Sequence, residues 1–242
     1  MLQVDKVTVT FGGIRALAGV DLNVEPGQVT GLIGPNGAGK TTLFNVITGL
    51  QRPQGGRVLL EGTDITAKGA KARARMGMGR TFQRLEVFGS LSALDNVLVA
   101  VENSGGFGRA ARAKAHELLE KVGAGQVATT QADVLPTGLA RLLEVARALA
   151  CSPKLLLLDE PFSGLDGSES EHLGDLIEEL VADGLAVLLV EHDMEMVMRL
   201  CANIYVLSFG SLIATGNPDQ IKADPIVQEA YLGAPMATGA GA

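Results

Sequence analysis

Apolar and polar side chains take turns in VDKVTVTF, from Val4 to Phe11, as they do on a strand with one buried face. VDLNVEPG, Val20 to Gly27, repeats the alternation and stops at Pro26-Gly27, a pair that punctuates strands. The run VTGLIG, Val29 to Gly34, lacks charged or large polar residues, so a buried strand entering a glycine-rich turn is expected. A helical period follows from Lys40 to about Leu50, and GRVLLEGTDI returns to strand. Helical spacing resumes from about Lys68 to Gly77, and GRTFQ ends a short strand. From Leu91 to Ala150 the period is mostly helical, broken at ENSGGFGR and VGAGQVATTQADVLPTG. Beyond it the pattern predicts a strand over Lys154–Leu158, a helix over Ser168–Ala182, a strand over Ala186–Glu191, a helix to about Leu200, and strands in NIYVLS and SLIATG.

Strands alternate with helices at both ends of a helical insert. The expectation is an α/β fold: a mostly parallel sheet with helices on both faces, plus a helical subdomain. No internal repeat of solenoid length is visible. The closing APMATGAGA, 234–242, is made of small residues and reads as a flexible tail.

The chain has 242 residues and 47% hydrophobic content, which suits one large domain with a sizeable core. Its formal net charge of −7 argues against a nucleic-acid partner, which needs a basic surface to displace counterions. No apolar run approaches the roughly 18 residues that cross a bilayer, and the N-terminus shows no basic-then-apolar secretory pattern. Cys151 and Cys201 stand singly among apolar residues, as small buried hydrophobes do in a reducing compartment. A cytosolic protein, or a peripheral subunit on a membrane, is expected.

GPNGAGKT, Gly34 to Thr41, fits G-x-x-x-x-G-K-[ST] between a predicted strand and a predicted helix. Its glycines let backbone amides converge on phosphate oxygens, and the helix N-terminus adds a positive dipole end. Lys40 is placed to reach the β- and γ-phosphates, and the Thr41 hydroxyl to ligate Mg²⁺. LLLLDEP is an apolar strand ending in Asp159-Glu160, and carboxylates at strand ends lie where open α/β sheets bind ligands. Asp159 can hold Mg²⁺ through water; Glu160 can orient or deprotonate the attacking water. Gln83, after a short strand, can reach Mg²⁺ or that water, and His192, after a buried strand, can donate to the γ-phosphate. SGLD, Ser163 to Asp166, follows the acidic pair, and Phe11 ends the first strand as a core, edge or base-stacking aromatic.

With these pieces in this order, the chain resembles the ATP-binding subunit of ABC transporters over about residues 1–233. The resemblance implies a P-loop NTPase core of RecA type at about 1–83 and 152–233, with an antiparallel β subdomain, and a helical subdomain at about 84–151. It implies ATP and Mg²⁺ as cofactors, and a head-to-tail dimer with a second ATPase subunit, the same chain or a different one. Transmembrane permease subunits are implied as partners on the cytoplasmic face, and a periplasmic or extracellular solute-binding protein indirectly. Phe11 matches the adenine-stacking position. Gly34, Pro35, Asn36, Gly37, Ala38, Gly39, Lys40, Thr41 and Thr42 match the phosphate and Mg²⁺ contacts. Gln83 matches the residue coupling nucleotide to the membrane subunit, and Asp159, Glu160 and His192 match the metal residue, general base and γ-phosphate sensor. Asp166 would act across the dimer interface. GPNGAGKTTLFNVITG, RTFQ…VFGSLSALDNVLVA and PIVQEAYLG resemble, more closely, the ATPases of branched-chain amino-acid importers, a group that also serves related small amides.

One stretch departs from the family. VLPTGLARLLEVARAL, Val134 to Leu149, stands where the family carries Leu-Ser-Gly-Gly-Gln. Pro136 occupies the serine slot and removes a hydroxyl and an N–H; Leu139 occupies the glutamine slot. Thr137, Gly138 and the helix beginning near Leu139 remain to meet the partner's γ-phosphate. One lost charge-assisted hydrogen bond is worth roughly 1.5–3 kcal/mol, which slows turnover without abolishing it. An active ATPase powering solute import is therefore expected. The alternatives are a non-transport ABC ATPase, an unrelated P-loop enzyme, and a nucleotide-binding regulator with weakened turnover.

Overall fold

The computed structural model describes residues 1–81 and 85–232. Gln83 and the expected tail at 234–242 lie outside the described residues. The chain forms two compact units: Met1–Glu25, Val29–Lys68 and the chain from Val190 onward make the first, and Pro26–Gln28 with Gly69–Leu189 the second.

The first unit opens with β1 (Leu2–Phe11), β2 (Ile14–Val24), β3 (Val29–Ile33), α1 (Lys40–Thr48), β4 (Gly55–Leu60) and β5 (Thr63–Asp64). Strands β2-β1-β4-β5 form an antiparallel sheet in that order. The alternation along β1 breaks at Lys6, which takes φ 47° where the register shifts between Val4 and Val7. This bulge keeps Val4 and Val7 both buried although they are three residues apart. β2 begins six residues before the Val20 expected from alternation, because Phe11 pairs with Ile14 across Gly12-Gly13, both at positive φ. The segment RALAG lacks a strand's period and is recruited by that hairpin.

The second unit holds α2 (Ala70–Arg75), β6 (Met78–Arg80), α3 (Ala93–Asn103), α4 (Gly108–Lys121), α5 (Thr137–Leu149), β7 (Leu155–Asp159), α6 (Gly167–Ala182) and β8 (Ala186–Val190). β6 pairs parallel with β7, Met78 opposite Leu155 and Arg80 opposite Leu157. Every residue of β7 and β8 is buried, which explains why both read as unbroken apolar runs.

After β8 the first unit is completed by α7 (Met194–Leu200), β9 (Asn203–Ser208), β10 (Ser211–Gly216), α8 (Pro218–Ala223) and α9 (Pro225–Leu232). β9 pairs parallel with β3 and antiparallel with β10, so this part is mixed. Gly31 in β3 lets Cys201 pack close, since a Cβ there would lie 2.9 Å from its Sγ.

Candidate functional site

In the first unit, β3 delivers the glycine loop directly into α1. Gly34 takes φ 153°, and a Cβ on it would sit 2.1 Å from the Leu207 carbonyl oxygen of β9. Gly39 takes φ 108°, and its Cβ would lie 2.6 Å from the Ala16 oxygen of β2. The loop is thus pressed against two strands by backbone alone, which a side chain at either position would prevent. Lys40 opens α1 and donates from Nζ to the Gly34 and Pro35 carbonyls at 2.6 and 3.1 Å, so its ammonium arches over the loop. No side chain caps α1, and Asn36, Gly37 and Thr41 are exposed. A glycine loop held by backbone, an overarching ammonium and a helix start with no side-chain cap fit a chain of phosphates.

The same unit carries Phe11, 49% exposed at the tip of β1, and His192, with its side chain 63% exposed beyond β8. Glu191, which sequence reasoning passed over, is buried and accepts from the His192 and Asp193 backbone N–H groups at 2.9 and 3.3 Å. It fixes the turn that presents His192. The residue pattern offers no warning of this, because a buried carboxylate beside an apolar strand has no period of its own.

The second unit carries Asp159, Glu160, Asp166, Thr137 and Gly138. Asp159 ends β7 at 4% exposure, and Arg80 of β6 donates to its Oδ2 at 3.2 Å. That guanidinium is a further site neighbour invisible in the sequence, since the parallel pairing of β6 and β7 brings it there. Glu160 takes φ 49°, a left-handed conformation that costs about 1–3 kcal/mol for a residue with a side chain and recurs where function demands it. Among the described residues no group of three or more His, Cys, Asp or Glu side chains could hold a metal.

The odd stretch is well ordered in its own terms. α5 starts at Thr137, two residues before the expected beginning near Leu139, with Pro136 as its N-cap. The Pro136 carbonyl accepts from Ala140 N–H at 3.0 Å, so the proline's missing N–H takes nothing from the helix. What is missing is a capping side chain, worth about 1 kcal/mol. Gly138 is buried against α6: a Cβ there would lie 2.3 Å from Glu169 Oε1. Glu169 is itself held in a capping box with Asp166, whose carboxylate accepts from Glu169 N–H at 2.8 Å. Bonds from Glu169 N–H and the Ser168 hydroxyl keep the Asp166 carboxyl below its ordinary range. Gly138 and Asp166 are thereby joined through Glu169, with Thr137 and Asp166 exposed. Leu139 lines a cleft of about 320 Å³ there, beside Leu142, Leu165 and His172.

α5 also grips the segment that follows Gln83. Glu144, 5% exposed, accepts from Glu86 N–H at 2.9 Å and from Arg141 Nη1 at 3.0 Å. Arg147 donates to the Glu86 carbonyl and lies 5.0 Å above the Phe88 ring. From the other side Asn96 of α3 accepts from Phe88 N–H and donates to the Phe88 carbonyl. Burial pushes the Glu144 carboxyl up, against the opposing pull of Glu86 N–H and the two arginines.

A family profile described as ABC transporter matches residues 17–163. The chain belongs to the ABC transporter family. A second profile, described as branched-chain amino acid ATP-binding cassette transporter, matches residues 211–237. This ABC chain is 40% identical to BraF of Pseudomonas aeruginosa, a high-affinity branched-chain amino acid transport ATP-binding protein, over 96% of its own length and 98% of that protein. It is 37% identical to LptB of Acidithiobacillus ferridurans, a lipopolysaccharide export system ATP-binding protein, covering 96% and 97% of the two chains. Among solved structures, the ADP conformation of the cassette MJ1267 superposes with a TM-score of 0.88 at 32% identity, covering 97% of this chain and 99% of that one. The dimeric, post-hydrolysis cassette MJ0796, bound to ADP and Pi, does so at 0.81 and 27%, covering 90% and 99%. The α/β cassette fold is established by these likenesses, and this ABC chain is an ATP-binding subunit that hydrolyses ATP. Cassettes of the family dimerise and work with transmembrane permease subunits.

Proposed function

We propose that the chain powers import of a small solute, a branched-chain or other hydrophobic amino acid, from the cytoplasmic face of a membrane. The observation that carries the solute class is the profile match at residues 211–237, outside the nucleotide-binding motifs, together with the 40% identity to BraF. LptB, nearly as similar, is named for an export system, so general ATPase likeness alone does not select a solute or a direction. No described helix is long and apolar enough to cross a membrane, which suits a peripheral subunit.

In this reading the residues divide the work as follows. The amides of Gly34–Thr41, with Lys40, take the β- and γ-phosphates of ATP, and Phe11 stacks on adenine. Mg²⁺, when bound, neutralises developing charge on the phosphates; Thr41, Gln83 and Asp159 hold it, directly or through water. Glu160 accepts a proton from the attacking water, and His192 donates to the γ-phosphate. Thr137 and Gly138, at the start of α5, with Asp166, serve the nucleotide of a second ATPase subunit, the same chain or a different one. The domain division follows the core and helical subdomain given above, 1–83 with 152–233 and 84–151. The permease docks at the segment after Gln83, where Val87 is half-buried and Phe88 is 47% exposed. The solute is delivered by a solute-binding protein that never meets this chain.

The test is uptake of radiolabelled leucine and of radiolabelled urea into proteoliposomes carrying the cognate permease and this subunit, with solute-binding protein outside. ATP-dependent leucine uptake, absent with Glu160→Gln, is the expected result. Hydrolysis without uptake of either solute would overturn the solute assignment and leave the ATPase standing.

A further inference from the structure

A carboxyl group rarely lies fully out of water unless something is bonded to it. The Glu191 side chain is such a case: its exposure is 0%, directly after β8, a strand made only of apolar residues. Its Oε2 accepts from the His192 N–H at 2.9 Å and from the Asp193 N–H at 3.3 Å. The same oxygen lies 3.7 Å from His192 Nδ1, beyond hydrogen-bond reach. Glu191 therefore holds the backbone that carries the imidazole and leaves Nδ1 unbonded to it.

The far side of the turn is fixed as well. Asp193 caps α7, its Oδ1 accepting from the Glu195 and Met196 N–H groups at 3.0 and 3.3 Å. His192 thus stands between two carboxyl side chains that together take four backbone N–H groups, while its own side chain is 63% exposed. An exposed ring on a backbone fixed from both sides is held ready for a ligand, in the unit that also carries the loop Gly34–Thr41. Phosphoryl transfer needs such placement, since an error of about 1 Å can cost on the order of a hundredfold in rate. An apolar side chain at 191 would suit the burial better, but would leave the two N–H groups without this acceptor.

We propose that Glu191 is a positioning residue for ATP hydrolysis: its Oε2 clamps the turn at 191–193 so that His192 meets the γ-phosphate already in place. This rests on His192 being the γ-phosphate donor of the proposed function.

The experiment is a double-mutant cycle on the full chain, with kcat and KM for ATP measured for wild type, Glu191→Met, Glu191→Gln, His192→Ala and the variant combining Glu191→Met with His192→Ala. Glu191→Met matches the length of the side chain without its oxygens, and should lower kcat roughly tenfold while KM stays within about twofold. Glu191→Gln, whose amide oxygen can accept both N–H groups, should recover most of that loss. His192→Ala should itself be slower by roughly tenfold or more, and adding Glu191→Met to it should subtract nothing further, because residues that act as one unit are not additive. An equal loss from Glu191→Met in both backgrounds overturns the proposal and leaves the reading of His192 standing. Glu191→Gln as slow as Glu191→Met sinks it too, since the accepted bonds would not be what matters. Wild-type turnover in His192→Ala removes the γ-phosphate reading, and this proposal with it. Hydrogen exchange on the wild type needs no variant: the His192 and Asp193 amides should exchange at least about tenfold more slowly than in an unfolded chain. Unprotected exchange at both rules out the clamp even where Glu191→Met does not fold.

Discussion

Pro136 removes a hydroxyl from the start of α5 without disturbing the helix, since its carbonyl still accepts from Ala140. Under the proposed function, what the proline takes away is donors toward a partner's nucleotide, the serine hydroxyl among them, and not the helix itself. Pro136→Ser should raise steady-state ATP hydrolysis roughly tenfold, the value of one recovered charge-assisted hydrogen bond. Unchanged turnover in a phosphate-release assay would mean that Thr137 already supplies the donor. Gly34 poses the opposite case: its would-be Cβ meets a carbonyl oxygen of β9, not a movable side chain. Gly34→Ala should lose ATP binding in an equilibrium titration and lower Tm, since the loop must leave β9 to admit the methyl group.

At the scale of elements, the segment 86–88 is held between α5 and α3 by Glu144, Arg147 and Asn96. Glu144 is a buried charge satisfied on two sides, so removing it leaves Arg141 and Glu86 N–H without their carboxylate. Glu144→Ala should cost about 3–5 kcal/mol in urea unfolding. Glu144→Gln should cost markedly less, because its amide oxygen still accepts from Glu86 N–H. Equal losses would show that charge, and not the accepted hydrogen bond, anchors the segment. If the permease docks there, the same bonds tie its movement to the helix that begins with Thr137.

At the scale of the whole molecule, two properties follow. The first is association. Glu160→Gln with ATP should elute as a dimer in size-exclusion chromatography, because nucleotide then holds the interface without being consumed. A persistent monomer would point to a different ATPase chain as the obligatory partner. The second is alkaline stability. Burial beneath β3 pushes the Cys201 thiol up to about 12, from an ordinary 9.0. The folded state thus favours the neutral thiol. That contribution is complete below about pH 9 and is lost as pH rises toward 12. Unfolding free energy should fall more steeply above pH 9 for wild type than for Cys201→Ala, by urea titration at each pH.

Much of this was legible in the residues themselves. A glycine loop between a buried strand and a helix, apolar strands ending in Asp159 and just before His192, and the order of these pieces required no coordinates. They are local patterns, set by which side chains can line a strand or free a backbone. The early start of β2 was not legible, because RALAG becomes strand only by pairing with β1. Nor was the break at Lys6, where a bulge swaps the faces of an apparently regular strand. The exact start of α5 depended on a proline carbonyl, which composition hides. Arg80 beside Asp159, Glu191 beneath His192 and the grip of Glu144 and Arg147 on Glu86 join residues by strand register, turn geometry and helix packing. The sequence by itself determined the chemistry, since that chemistry is carried by residue type and spacing. Only the tertiary structure decided which charges each of those residues faces, because electrostatic partners are chosen by distance in space and not along the chain.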